Sequence, residues 1–507
     1  MPEWGHFVPV KRANGVTLAR PSLPGEAQTF SGISMRKWIW WAAAPAASVA
    51  AALAVLHSWD RGRARGVAAN YVSHLMCSAT FVAGLDPAQF YREAVAPMIW
   101  PVGPLVDYDI DLAQRSVAAS FAGIAHSKAV DRGALGCQVD HGWSMATIAA
   151  ATPERTPLLP PIAGPEIVAP RDPALQAALD RAFAEPTEGP HRYTKAVVII
   201  HDGRVVGERY APGVGIDTPL LGWSMTKSVA NALIGILVRQ HKLAVDHPAP
   251  VAAWSDPNDP RHRITIDNLL RMTSGLSIGQ SLTSSWTSAF DPSAQMNFDI
   301  ADEAGFAERA QLAAPPGARW NYTNGNTLLL SRMIRDAAGG DAAATYRFVH
   351  RELFDKLGMA HATIEFDGAG TPIGSSAMWA SARDWARFGL LYLNDGIVGS
   401  ERILPTGWVD YSARPTPQDD FYGYGAGFWT NRGMAEAARR RVTAGMPADS
   451  FMARGTQGEY IIIAPAEKLV IVRLGFAETP LGDIAAVERL VADAVAALGL
   501  AQHASTR

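Results

Sequence analysis

Cysteine is almost missing from this chain: Cys77 and Cys137 are the only two in 507 residues. Neither sits in a Cys-x-x-Cys pair, which argues against a structural zinc site. Charge of one sign is missing too. The 45 basic and 48 acidic residues leave a net charge of −3, so there is no electrostatic case for nucleic acid as a partner. No glycine-rich phosphate loop, metal-ligand cluster or internal repeat stands out, no Gly-x-Ser-x-Gly elbow encloses Ser224, and no cofactor is expected. What remains is an ordinary globular composition, 48% hydrophobic and 18% charged, in a chain long enough for two or three domains.

One apolar run is present. Residues 38–56 carry no charge over 19 positions, and at about 1.5 Å per residue they would span roughly 28 Å, close to a bilayer core. Arg36 and Lys37 precede the run like the positive flank of an export signal. The expectation is an irregular arm over 1–34, then a signal or transmembrane anchor over 36–57. An uncleaved anchor is preferred, Met1 and Met35 are alternative starts, and a buried alanine-rich core helix is the competing reading. The membrane is then a partner through this segment. The rest of the chain is expected on the periplasmic side, anchored to the inner membrane or secreted. In such an oxidising compartment Cys77 and Cys137 pair, closing a loop of about 60 residues for about 3–4 kcal/mol; two free buried thiols are the alternative.

Residues 58–150 read as an accessory unit, helical at 71–82 and 87–99 and irregular afterwards. The proline-rich stretch 151–171 lacks periodicity and reads as a linker. The main domain is expected over 172–500. Within it, 173–183 and 483–498 have helical patterns, and 195–200 with 205–210 form a hairpin turning at Asp202-Gly203. Residues 423–429, 459–463 and 469–474 read as consecutive strands, and helical patterns fill about 225–395. Strands at both ends around a helical middle predict an α+β fold, with a sheet built from the two termini and an inserted helical subdomain.

Ser224-Met225-Thr226-Lys227 places a hydroxyl and an amine three residues apart, where a loop enters an apolar helix. Positions i and i+3 share a helix face. A desolvated neutral lysine there can take the proton of a serine that is a poor nucleophile alone. The helix N-terminus also favours developing negative charge. Ser-x-x-Lys occurs by chance roughly once in a few hundred residues, and Ser34-Met35-Arg36-Lys37 fits it as the flank of the apolar run. Gly142-Trp143-Ser144-Met145 repeats part of the motif without the lysine. An N-cap serine with a surface lysine is the plain alternative.

Tyr322 and Asn324 follow Pro315-Pro316-Gly317, a rigid turn suited to holding a phenol and an amide in one cleft. The phenol would relay a proton, and the amide would hold Lys227 or substrate. A second Tyr-x-Asn, Tyr392-Leu393-Asn394, ends an apolar helix and reads as core. The aromatic stretch 421–429 reads first as strand packing and second as the lining of an acyl pocket. His241 and His247, in a proline-bearing loop, are expected in solvent.

Together, Ser224-x-x-Lys227, Tyr322-x-Asn324 and a late glycine-bearing strand resemble the serine β-lactamase and penicillin-binding-protein superfamily. The class C-like branch of 6-aminohexanoate-dimer hydrolases and related esterases is the nearest likeness. Supporting phrases are Asp267-Asn268-Leu269-Leu270-Arg271-Met272-Thr273-Ser274-Gly275-Leu276 and Ser381-Ala382-Arg383-Asp384-Trp385. The resemblance covers about 172–498. It implies an α/β sandwich, an antiparallel sheet flanked by helices beside a helical subdomain, and an acyl-enzyme mechanism. It also implies Ser224 as nucleophile, Lys227 as base and Tyr322 as proton relay, with Asn324 orienting lysine and substrate. Gly455 then lets substrate approach the backbone, and the Thr456 N–H joins that of Ser224 as an oxyanion hole.

The third motif departs from the family pattern. β-Lactamases carry Lys-Thr-Gly there, or His-Thr-Gly in some peptidases, whereas this strand reads Met452-Ala453-Arg454-Gly455-Thr456-Gln457-Gly458. Arg454 either replaces the missing cation or points to solvent. Amide hydrolases of the nylon-oligomer type also lack the lysine, which favours that branch. The expected function is hydrolysis of a small-molecule amide or ester. The alternatives are a D-alanyl-D-alanine peptidase or β-lactamase, and a non-catalytic binding protein on the same scaffold.

Overall fold

The computed structural model describes residues 61–142, 146–149, 157–281, 286–479 and 482–500. Ser34, the 38–56 run and Ser144 lie outside the described residues. Among the described residues no helix is long and apolar enough to cross a membrane. Asp60–Arg507 form one compact unit.

In the 58–150 segment the expected helices are found within Arg61–Phe81 and 87–95, but the stretch read as irregular is a sheet. Helix α1 (Arg61–Phe81) packs on a four-stranded antiparallel sheet in the order β1 (Val106–Asp111), β2 (Ser116–Phe121), β3 (Ala125–Asp131), β4 (Cys137–Val139). The reason is visible in β1. Val106, Tyr108 and Ile110 alternate with three aspartates, and aspartate's poor fit to strands hides a clean period of two. Ser73 Oγ of α1 meets Ser127 Oγ of β3 at 2.7 Å, and Cys77 of α1 is disulfide-bonded to Cys137 of β4, as expected.

A buried carboxylate ties this segment to the rest. Glu365, only 1% exposed, accepts from Ser78 Oγ at 2.7 Å, the Cys137 N–H at 2.8 Å and Trp379 Nε1 at 3.3 Å, and pairs with His74 Nε2 at 3.1 Å. Burial pushes the His74 pKa down, but the Glu365 charge and hydrogen bonding outweigh it and hold it above the ordinary value.

In the main body, helix α2 (Pro173–Phe183) starts where Asp172 accepts from the Ala174 and Leu175 N–H groups, with Pro173 at its first position. Strands β5 (Thr194–His201) and β6 (Arg204–Tyr210) follow as the expected hairpin. Asp202 and Gly203 both take positive φ, 47° and 77°, which the strand twist favours at a two-residue turn. The chain then leaves the sheet through β7 (Leu220–Leu221), α3 (Thr226–Arg239), α4 (Asn324–Ala338), β8 (Thr363–Ile364), β9 (Met378–Ala380) and α5 (Ala382–Leu393). After the small hairpin of β10 (Ile397–Val398) and β11 (Glu401–Arg402) come β12 (Trp429–Thr430), β13 (Phe451–Arg454), β14 (Tyr460–Ala464), β15 (Leu469–Gly475) and the closing helix α6 (Ile484–Ala497).

The main sheet runs β12-β13-β14-β15-β5-β6, antiparallel throughout, so strands from both ends of the segment lie side by side. Both faces are covered, so the strands are apolar without alternation. Val197, Ile199, Ile462 and Ile471 share one core with Leu175 and Leu179 of α2 and Leu490 and Val491 of α6. Val198, Ile200, Ile461 and Val470 share the other with Trp385 and Phe388 of α5 and with α3. One expected strand is mostly absent. Of 423–429 only Trp429 is in a strand, because Gly423 and Gly427 take φ of 77° and 76° and fold the segment back.

Replacing both cysteines, Cys77→Ala with Cys137→Ala, should lower unfolding stability by about 3–4 kcal/mol, from the entropy returned to a loop of roughly 60 residues. Urea melts of the oxidised protein and the double variant measure it; equal midpoints would remove the disulfide's stabilising role.

Candidate active site

The candidate nucleophile is presented by a strand-to-helix turn. Strand β7 pairs with β9, Leu221 opposite Trp379, and the Gly222 N–H donates to the Met378 carbonyl at 2.9 Å. A single 3-10 turn, Trp223–Met225, then runs into α3, whose residues Thr226 to Leu237 are all buried. Trp223 takes φ of +44° immediately before Ser224. A bulky side chain in that region costs on the order of 1–3 kcal/mol and persists only where its surroundings enforce it.

Lys227 lies one turn on, 2% exposed. Its Nζ is 2.9 Å from Ser224 Oγ, 2.6 Å from Asn324 Oδ1 and 2.8 Å from the Ser375 carbonyl oxygen. Burial drives its pKa well below the ordinary lysine value. A neutral amine has two hydrogens and one lone pair, which matches this set. The hydrogens go to Asn324 and Ser375, and the lone pair accepts the Ser224 hydroxyl proton. In its ammonium form the group can donate to the same three oxygens. The site therefore serves both protonation states without rearrangement.

Tyr322 and Asn324 arrive from the loop entering α4. Its path is fixed by the Gly317 N–H on the Thr273 carbonyl and the Asn321 N–H on the Met272 carbonyl, each 2.8 Å. Asn324 is the first residue of α4, and its N–H donates to Ser281 Oγ at 3.2 Å. The Tyr322 ring centroid lies 4.9 Å from Lys227 Nζ, so the ring faces the amine. Burial pushes the Tyr322 phenol up to about 12, against the opposing pull of the Ser224 hydroxyl and the Arg454 charge. The competing tyrosine is elsewhere. Tyr392 is fully buried in α5 and donates to Asn231 Oδ1 at 2.6 Å. His241 and His247 are exposed.

Gly455, at the end of β13, lies against the backbone that precedes Ser224. A Cβ there would sit 2.3 Å from the Gly222 carbonyl oxygen and 3.1 Å from Trp223 Cβ, so only glycine fits. Thr456 follows in a short turn. Ser224, Tyr322, Gly455 and Thr456 open on one cavity of about 270 Å³, walled by Phe421, Tyr422, Trp429, Met446, Met452 and Tyr460. The aromatic stretch thus lines the cleft through three of its members, although strand packing was the first expectation. Arg454 lines the cavity as well and does not turn to solvent. Its guanidinium carbon is 5.4 Å from the Trp429 ring centroid and 5.6 Å from that of Tyr460.

Four participants were not found by sequence reasoning: the Ser375 carbonyl, Ser281, the strained backbone of Trp223, and Gln457, which bonds the Trp223 indole. A backbone carbonyl leaves no mark on side-chain spacing. The only sequence hint for Gln457 is its place next to Thr456.

Residues 179–496, more than half of the chain, match the family model "Beta-lactamase". The 6-aminohexanoate-dimer hydrolase of Paenarthrobacter ureafaciens is 23% identical over 359 residues, spanning 66% of this chain and 84% of that protein. Among solved structures, a Bacillus anthracis protein assigned as a 6-aminohexanoate-dimer hydrolase matches with a TM-score of 0.51 at 23% identity, covering 61% of this chain and 81% of that one. A penicillin-binding protein homolog from Caulobacter crescentus matches with a TM-score of 0.47 at 17% identity, over 65% of this chain and 98% of that one. The expected fold, a helix-flanked antiparallel sheet of the β-lactamase type, is the one found.

The depressed Lys227 pKa sets the sign of the pH dependence. The amine is the proton acceptor only above its pKa, so kcat/KM for an activated ester should fall as pH drops through that value. The midpoint should lie well below the ordinary 10.5, and Tyr322, held up at about 12, should cause no loss across the neutral range. A pH–rate profile whose acid limb had its midpoint near the free lysine value would contradict the arrangement.

Proposed function

The chain belongs to the β-lactamase family, and we propose that it is a serine hydrolase that cleaves an amide or ester bond through a covalent acyl-enzyme. The observation that carries the proposal is the buried Lys227 amine 2.9 Å from the Ser224 hydroxyl. In this reading Ser224 Oγ bonds to the substrate carbonyl carbon as its proton passes to Lys227. The carbonyl electrons move onto oxygen, where the N–H groups of Ser224 and Thr456 stabilise them. The tetrahedral species collapses, the bond to the leaving group breaks, and Tyr322 supplies the proton that the amine or alcohol carries away. Lys227 restores the phenol's proton. Water then attacks the acyl-ester by the reverse route, releasing the acid and Ser224. Asn324 keeps the lysine oriented through the 2.6 Å bond.

The apolar cavity wall of Phe421, Tyr422, Trp429 and Met452 suits an aliphatic acyl chain. The likeness to a 6-aminohexanoate-dimer hydrolase supports linear amides as the first class to try. Arg454 favours a second reading. A cation beside Gly455 can hold a carboxylate, as a peptidase of D-alanyl-D-alanine or a β-lactamase requires. The reaction is placed outside the cytoplasm, on residues 172–500, with 36–57 as anchor or signal and 58–150 as accessory unit. The Cys77–Cys137 disulfide supports that placement.

Ser224→Ala should abolish p-nitrophenyl ester hydrolysis and fluorophosphonate labelling, a loss of at least about 10⁴-fold. Lys227→Met should cost at least about 10³-fold and Tyr322→Phe about 10²-fold or more. Nitrocefin turnover and fluorescent-penicillin acylation, run alongside linear amide dimers, separate the two substrate readings. Full activity in Ser224→Ala would end both.

A further inference from the structure

Two left-handed residues flank the two N–H groups assigned to the oxyanion. Trp223, with φ of +44°, precedes Ser224, and Gln457, with φ of +66°, follows Thr456. Their side chains are bonded to each other: Trp223 Nε1 donates to Gln457 Oε1 at 3.0 Å. The other end of the same amide, Nε2, donates to the Ala94 carbonyl at 2.9 Å. An indole N–H only donates and a carbonyl only accepts, so these two partners fix the orientation of the amide. Gln457 is 1% exposed; its bond to Ala94 is buried and its bond to the indole partly buried.

The anchor for this bond lies outside the stretch that matches the β-lactamase model, which begins at residue 179. Ala94 belongs to the turn Tyr91–Val95 that follows α1. Tyr71 of α1 stacks on the Trp223 ring, with centroids 6.4 Å apart and planes at 12°. Phe90 packs on Trp379, the β9 residue opposite Leu221, at 6.0 Å. The indole is thus bounded by a ring of the accessory segment and bonded by an amide hung from that segment.

We propose that Trp223 and Gln457 are positioning residues, clamped by Tyr71 and Ala94, that hold the Ser224 and Thr456 N–H groups at the spacing a tetrahedral oxyanion needs. The accessory segment is then a working part of the active site. The proposal rests on the reading of Ser224 and Thr456 given above. It predicts a loss specific to the transition state, since the clamp touches neither the substrate nor Lys227.

The test uses the full chain with Gln457→Met, which keeps the length of the side chain and removes both bonds, and Trp223→Phe, which keeps an aromatic ring and removes the indole N–H. Fluorophosphonate labelling of Ser224 needs no knowledge of the natural substrate, and its end point counts active sites. Both variants should lower the maximal labelling rate per active site by about tenfold or more. The half-saturating probe concentration should stay within about twofold. Protection by phenylboronic acid, which mimics the tetrahedral state, should weaken by a similar tenfold, and the double variant should lose little beyond the larger single loss. A purely structural role would lower the melting temperature or the number of active sites and leave the per-site rate and boronate protection unchanged, which would overturn the proposal. If Gln457→Met does not fold, Trp223→Phe decides alone. Retained labelling in Ser224→Ala would instead remove the reading on which the clamp rests.

Discussion

A single amine held out of water organises this molecule. Lys227 is 2% exposed, and an ammonium in such a place would cost several kcal/mol without close partners. Its partners come from three separate parts of the chain: the turn before α3, the first residue of α4, and the segment before β9. All three must converge to hydrogen-bonding distance of one nitrogen. That demand explains why α3 is buried nearly all round although it begins at a reactive turn. It also explains why the loop before α4 is fixed to the backbone at Met272 and Thr273. For the proposed role of Lys227 as proton acceptor, its hydrogen-bond partners stay the same before and after transfer, so little reorganisation is needed when charge develops.

The parts legible in the sequence are those whose signal is local. The Asp172 cap before Pro173, the Asp202-Gly203 turn and the apolar runs of β14 and β15 each carry their cause within a few residues. Ser224 and Lys227 are legible for the same reason, since three residues on a helix bring them together. Tyr322 and Asn324 lie about a hundred positions away and were reached through motif likeness; their meeting with Lys227 depends on the packing of α3 and α4. Where the signal is long-range or masked, the reading failed or stayed open. The β1 strand hides behind its aspartates, the 423–429 segment bends at two glycines, and Arg454 has its direction set by the rings of Trp429 and Tyr460.

The accessory segment is packed closely against a strained turn. Ser224 is reached through Trp223 in a conformation that costs on the order of 1–3 kcal/mol, and β13 comes near enough that Gly455 admits no side chain. Neither feature would persist in a loosely held turn. The restraint runs from α1 through Tyr71 to the indole, and from α1 through His74, Ser78 and Glu365 to Trp379, which pairs with the strand that delivers Ser224.

The magnitudes favour that direction of control. The Cys77–Cys137 cross-link is worth about 3–4 kcal/mol to the accessory segment, more than a single strained tryptophan costs. Removing His74 would leave the buried Glu365 carboxylate with its hydrogen-bond donors but without its ion-pair partner, at up to about 3–5 kcal/mol. Either contribution exceeds what one strained residue costs, so contacts from this segment are sufficient to hold the Trp223 turn in its positive-φ conformation. In the proposed clamp, the position of the Ser224 N–H then depends on a helix and turn that lie outside the stretch matching the family model.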